Sequence, residues 1–139
     1  MTVLSPLLLD TCVIVFSSLG TEMRAEATDA ISLAVSTGRV HISSISAWEI
    51  GMGIAKGRIK STLPPLGFFQ RYVSATNASI CDLSPEILVN SSFLPGEVHG
   101  DPMDRILIAT AREHDLTVVT RDRAILAYSR AGHVKALAC

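Results

Sequence analysis

Cysteine is scarce in this chain: Cys12, Cys81 and Cys139 are the three in 139 residues, odd in number and far apart. That pattern excludes a disulfide-stapled scaffold or a zinc-organised module and reads as free thiols in a reducing cytoplasm. No apolar run approaches 18 residues, so no transmembrane helix is expected. The short apolar run before Asp10 lacks a preceding positive region, and a secretory signal is not expected either. Charge of one sign is also missing. Twelve basic and 13 acidic residues leave a net charge of −1, too little pull for a protein that coats nucleic acid nonspecifically. A nucleic-acid enzyme stays open, because bound metal can offset acids in a site and local basic groups can hold phosphates. There is no G-x-x-x-x-G-K-[ST] phosphate loop and no G-x-S-x-G nucleophile elbow. Gly51, Gly53 and Gly57 have the wrong spacing for a dinucleotide loop and follow helical sequence rather than a strand.

What the chain does have is apolar content of 48% and length enough for one sizeable core over residues 1–139, without repeats or an internal linker. Short apolar runs alternate with helical stretches. Strands are expected at Leu4–Leu9, Arg39–Ile42, Ala78–Leu83, Thr117–Thr120 and Val134–Leu137. Between them lie helical patterns at Thr11–Leu19, Thr21–Thr37, Ser43–Lys56, from Pro64-Pro65 through Val73, after Ser84-Pro85-Glu86, and at Asp101–His114 and Asp122–Ala131. The interior glycines of the third of these helices each cost about 1 kcal/mol against alanine. The alternation predicts an α/β fold with a parallel sheet.

Acidic residues stand where apolar runs give way to helix starts: Asp10, Glu49, Asp104 and Asp122. In a parallel α/β sheet the carboxyl ends of the strands share one edge, where ligands bind. Two carboxylates about 4 Å apart repel by roughly 4 kcal/mol at an effective dielectric near 20, so an acidic cluster calls for a cation. Asp104 shares a helical face with Leu107, Ile108 and Ala111, which turns it toward the edge of the core, where a carboxylate is costly unless paired or metal-bound. Asp101 lies one turn earlier and can join the cluster. Thr11 and Thr120 flank two of the acids, where their hydroxyls can hold a carboxylate or a metal-bound water, or make simple turn hydrogen bonds.

Each acid also has a purely structural reading. Ser46-Ala47-Trp48-Glu49 fits a capping box, Asp101 and Asp122 are good helix N-caps, and Asp10 can cap the segment after the first strand. His99 can touch a phosphate or simply sit solvated in a loop. The basic stretch Lys56-Gly57-Arg58-Ile59-Lys60 can grip an RNA backbone or an acidic partner, or merely complement a helix dipole.

Taken together these motifs resemble the PIN-domain ribonucleases, and especially the VapC toxins of bacterial toxin–antitoxin pairs. The resemblance runs through Leu7-Leu8-Leu9-Asp10-Thr11-Cys12, Ser44-Ile45-Ser46-Ala47-Trp48-Glu49-Ile50, the stretch from Asp101 to Ala111, and Val118-Val119-Thr120-Arg121-Asp122. It implies a PIN-like three-layer α/β/α fold around a central parallel sheet. It also implies a catalytic, metal-holding quartet of Asp10, Glu49, Asp104 and Asp122, with Asp101 accessory, an RNA substrate, a cognate small antitoxin and a homodimer. One departure is visible: relatives often carry a lysine one turn after the glutamate, where this chain has Gly53. Oxygen-only ligands favour Mg²⁺ or Mn²⁺ over zinc, and such ions activate water for phosphodiester hydrolysis. For the dimer, the glycines around Gly53 would admit a second helix, and Phe68, Phe69 and Tyr72 would offer apolar area or else fill the monomer's core. Two rivals differ in kind. A Mg²⁺-dependent phosphatase of the haloacid-dehalogenase type wants a second aspartate two residues after Asp10, where Cys12 stands. A noncatalytic interaction module of the same fold has no need of four acids.

Overall fold

The computed structural model describes residues 5–98 and 100–139. The expected start of the first strand at Leu4 and the loop residue His99 lie outside them. The described elements run β1 (Leu7–Leu9), α1 (Thr11–Leu19), α2 (Ala25–Ser36), β2 (Val40–Ser43), α3 (Ile45–Ala55) and α4 (Pro65–Thr76). They continue with β3 (Ser79–Cys81), α5 (Pro85–Asn90), α6 (Pro102–His114), β4 (Thr117–Thr120), α7 (Arg123–Arg130) and β5 (Lys135–Ala138).

All five described strands form one sheet in the order β3-β2-β1-β4-β5, and every pairing is parallel. Leu7 lies opposite Val40 of β2 and Thr117 of β4, which puts β1 at the centre. Successive residues of a strand face opposite sides of the sheet. Leu7 and Leu9 accordingly pack with Ile14, Ala27, Ile50 and Phe69 from α1 to α4, while Leu8 packs with Leu107, Ile108 and Ile125 from α6 and α7. Helices thus cover both faces, and the fold is the three-layer α/β/α arrangement expected. Leu8 and Leu9 are fully buried, and a buried leucine contributes roughly 2 kcal/mol over an exposed one. Apolar burial on both faces explains why the central strands read as unbroken apolar runs.

Several boundaries differ from expectation for local reasons. Ser43 belongs to β2, not to the following helix: it pairs with Cys81, and its hydroxyl accepts from the Ile45 amide at 3.2 Å. The second helix starts at Ala25, because Thr21 is held back by a bond from its amide to the Phe16 carbonyl that closes α1. Ser5 and Pro6 lie outside β1, although the Pro6 carbonyl still accepts from Thr117 at 2.9 Å. Phe68, Phe69 and Tyr72 are buried against α1 and α3 in the core, so they offer no surface to a second chain. Among the described residues no helix is long and apolar enough to cross a membrane.

Candidate active site

Asp10 directly follows β1, and Asp122 follows β4 by two residues. The chain winds from β1 to β2 and β3 on one side, then crosses to β4 and β5 on the other. The crevice between the carboxyl ends of β1 and β4 is therefore the switch point of the sheet, the usual binding position in open α/β folds. Glu49 comes from α3, which follows the neighbouring β2, and Asp104 from the first turn of α6. All four acids line one open cavity of about 650 Å³, together with Thr11, Lys56, Arg58 and Arg121.

Asp10 is buried and its Oδ2 accepts a 2.6 Å hydrogen bond from the Thr120 hydroxyl. Burial pushes its pKa up, and the charge of Asp122 pushes the same way, against the stabilising bonds from Thr120 and the Thr11 backbone. Glu49 is also raised, chiefly by burial and further by the charges of Asp10 and Asp101, while the hydrogen bond from Thr11 opposes the shift. Thr11 Oγ1 donates to Glu49 Oε1 at 2.6 Å and lies 2.9 Å from Ser46 Oγ. Burial pushes the Cys12 thiol to about 12, so it is not a thiolate at neutral pH.

The structural readings of the acids divide. The capping box fails, because Ser44 and not Ser46 precedes α3, and its side chain makes no cap bond; Ser46 is buried beside Thr11. Asp122 does cap α7, its Oδ1 accepting from Ala124 and Ile125 at 2.9 Å, and still lines the cavity. Asp101 caps α6 through Met103 and Asp104, is exposed, and does not line the cavity. Asp104 is half-buried on the face it shares with buried Leu107, Ile108 and Ala111. The two threonines are not merely turn formers, since each holds a carboxylate; Thr120 additionally accepts from the Asp122 amide at 3.0 Å.

The basic stretch is split: Lys56 and Arg58 face the acidic cavity, whereas Lys60 lines a separate hollow beside α4. Gly53 explains how Arg58 arrives there. A Cβ at Gly53 would stand 2.5 Å from Ile59 Cδ1, and the Gly53 carbonyl accepts from the amides of Arg58 and Ile59 at 2.8 and 3.0 Å. The chain folds back onto α3 over this glycine. The expected gap for a second helix at Gly53 is filled by Ile59 of the same chain.

Trp48, Phe16 and Arg121 also line the cavity, although no sequence motif marks them as site residues. The available signal is adjacency, since Trp48 precedes Glu49 and Arg121 precedes Asp122. The apolar pattern of α3 would place Trp48 in the core, but it is 54% exposed.

Among the described residues no three His, Cys, Asp or Glu side chains gather closely enough to enclose one metal ion. Local bonding accounts for this spread, with Asp10 turned to Thr120, Glu49 to Thr11 and Asp122 to the α7 amides. The donor chemistry nevertheless suits a hard divalent cation. Magnesium is usually held by one or two carboxylates and retained waters rather than by a full protein cage.

The PIN domain family model matches residues 7–131, and the chain belongs to that family. It is similar to the Mycobacterium tuberculosis protein named Ribonuclease VapC22, with 31% identity over 84 residues, 60% of this chain and 63% of the relative. The match thus spans less than two thirds of that relative's length. Among solved structures, a chain of VapBC2 from Rickettsia felis bound to a promoter DNA fragment superposes with a TM-score of 0.68. At 18% identity, covering 94% of this chain and 96% of that one, it shows a shared fold. A chain of a toxin–antitoxin complex from Klebsiella pneumoniae is 26% identical with a TM-score of 0.56, covering 86% of this chain and 89% of that one.

Proposed function

We propose that the chain is a metal-dependent endoribonuclease acting in the cytoplasm as the toxin of a toxin–antitoxin pair. The observation that carries this reading is that four carboxylates, from four separate segments, line one switch-point cavity that also holds Lys56, Arg58 and Arg121. Asp10, Glu49, Asp104 and Asp122 are the residues that would hold Mg²⁺ or Mn²⁺. When bound, such an ion polarises the phosphate and acidifies water.

The chain's own residues do the rest. Thr120 and Thr11 orient Asp10 and Glu49 through one carboxylate oxygen each. Burial makes their ionised forms costly without a cation, so cation binding is coupled to proton release. Lys56 and Arg58 offset the acids and take the flanking phosphates, while Arg121, which donates to the carbonyls of Cys139 and Glu22, adds positive charge to the cavity wall. Burial raises the pKa of the Cys12 thiol, which disfavours it as a nucleophile.

The names of the similar proteins support the toxin assignment, and an acidic cavity suits blockage by a basic side chain of an antitoxin. A homodimer remains part of the proposal on family grounds, without help from the buried aromatics. Purified protein should cleave RNA with Mg²⁺ or Mn²⁺ and not in excess EDTA. Undiminished cleavage in EDTA, with contaminating nucleases removed, would sink the metal mechanism. Co-expression with the adjacent small open reading frame should give an inactive complex and restore growth.

A further inference from the structure

Trp48 is the only tryptophan of the chain and leaves 54% of its surface in water, at the mouth of the acidic cavity. An indole left half in water beside four acids is not explained by core packing. Its surroundings are specific. Met52 follows four residues on in α3, and Lys56 four further on, at the residue that caps the helix, so all three line one wall of the cavity. In the same cavity the Arg121 guanidinium stacks 4.2 Å from the centre of the Phe16 ring and donates to the carbonyls of Cys139 and Glu22. The cavity, about 650 Å³ and open to solvent, has room for more than one ion.

Given the nuclease reading, we infer that Trp48 is a base-stacking platform, on which an unpaired nucleobase next to the scissile phosphate lies. A polyanion entering an acidic cavity needs an attraction that does not depend on charge at its leading edge. A nucleobase face on an indole supplies it, while Lys56 and Arg58 take the adjoining phosphates. In a duplex both faces of the base are covered by its neighbours and cannot reach the ring. Trp48 and Glu49 line the same cavity, so a base stacked on Trp48 would set which phosphodiester meets the carboxylates.

The chain's single tryptophan makes the test direct. Indole fluorescence of Asp104→Asn protein, titrated with a mixed-sequence single-stranded RNA and Mg²⁺, should fall and saturate; a duplex of the same sequence should quench far less. Trp48→Ala should lower kcat/KM on the single strand by roughly five- to a hundredfold, with Trp48→Phe restoring most of it. Both variants should melt near the parent temperature, because the side chain is exposed. Trp48→Ala cleaving at the parent rate while Asp104→Asn is inactive would overturn the stacking role and leave the nuclease standing. A parent protein that neither cleaves nor is quenched by RNA would overturn both. Quenching by the neighbouring gene product but not by RNA would assign Trp48 to a protein partner and overturn the inference.

Discussion

Thr120 donates its hydroxyl to Asp10 across 110 positions of sequence, at 2.6 Å and within the buried interior. One threonine thereby holds the buried acid that follows β1 while its own oxygen accepts from the amide of Asp122. Replacing it with valine keeps the shape and removes both bonds. Thr120→Val should cost about 2 kcal/mol of stability, since a buried carboxylate loses its donor. Denaturant unfolding measures this, and an unchanged midpoint would show the bond to be dispensable.

Asp104→Asn keeps the volume of the side chain and removes its charge. Cleavage should fall by more than about a hundredfold, the loss expected when several kcal/mol of transition-state stabilisation go. Thermal stability should be equal or slightly higher, because repulsion within the cavity is relieved. A variant that unfolds, or one that stays active, would make Asp104 structural.

Asp10 carries a pH signature. Its folded pKa lies above the ordinary 3.8, so the folded chain binds the proton more tightly than the unfolded one. The resulting stabilisation is complete below that ordinary value and is lost as pH rises through the folded one. Metal-free Asp10→Asn should therefore melt above the parent at neutral pH, and the gap should close as the solution is acidified toward the ordinary carboxylate range. Mg²⁺ should raise the melting temperature of the parent and not of the variant. Glu49, shifted in the same direction, predicts the same sign for Glu49→Gln.

Gly53→Ala tests the close approach of Ile59. Helix propensity favours alanine by about 1 kcal/mol, but overpacking costs roughly 1–3 kcal/mol. The net expectation is a loss of about 1 kcal/mol, recovered when Ile59 is cut back to Val or Ala in the same chain. Additive losses in the double variant would show that the two positions do not share one packing contact.

The elements themselves were legible because their signals are local. Leu7-Leu8-Leu9 and Thr117 to Thr120 read as buried strands, and Pro102 after Asp101 marks a helix start that the structure keeps. The acids were legible as a set by their junctions with strands. What could not be read was orientation. Whether Glu49 answers a capping serine or Thr11, and whether Trp48 enters the core or the cavity, depends on how α3 is rotated against α1. Likewise, the fold-back that carries Arg58 to the site rests on Ile59 meeting a missing side chain at Gly53, a contact that periodicity does not encode.

The placement of β4 beside β1 has a consequence for biosynthesis. The segment bearing Thr120 and Asp122 emerges from the ribosome long after Asp10, and β1 has no β4 neighbour until it does. Non-local pairing of this kind is slow to form. A nascent chain can build the layer around β2 and α3 first, yet the cavity stays unfinished until β4 docks. The proposed nuclease therefore has no finished site until the segment bearing Thr120 and Asp122 has been made and has docked on β1.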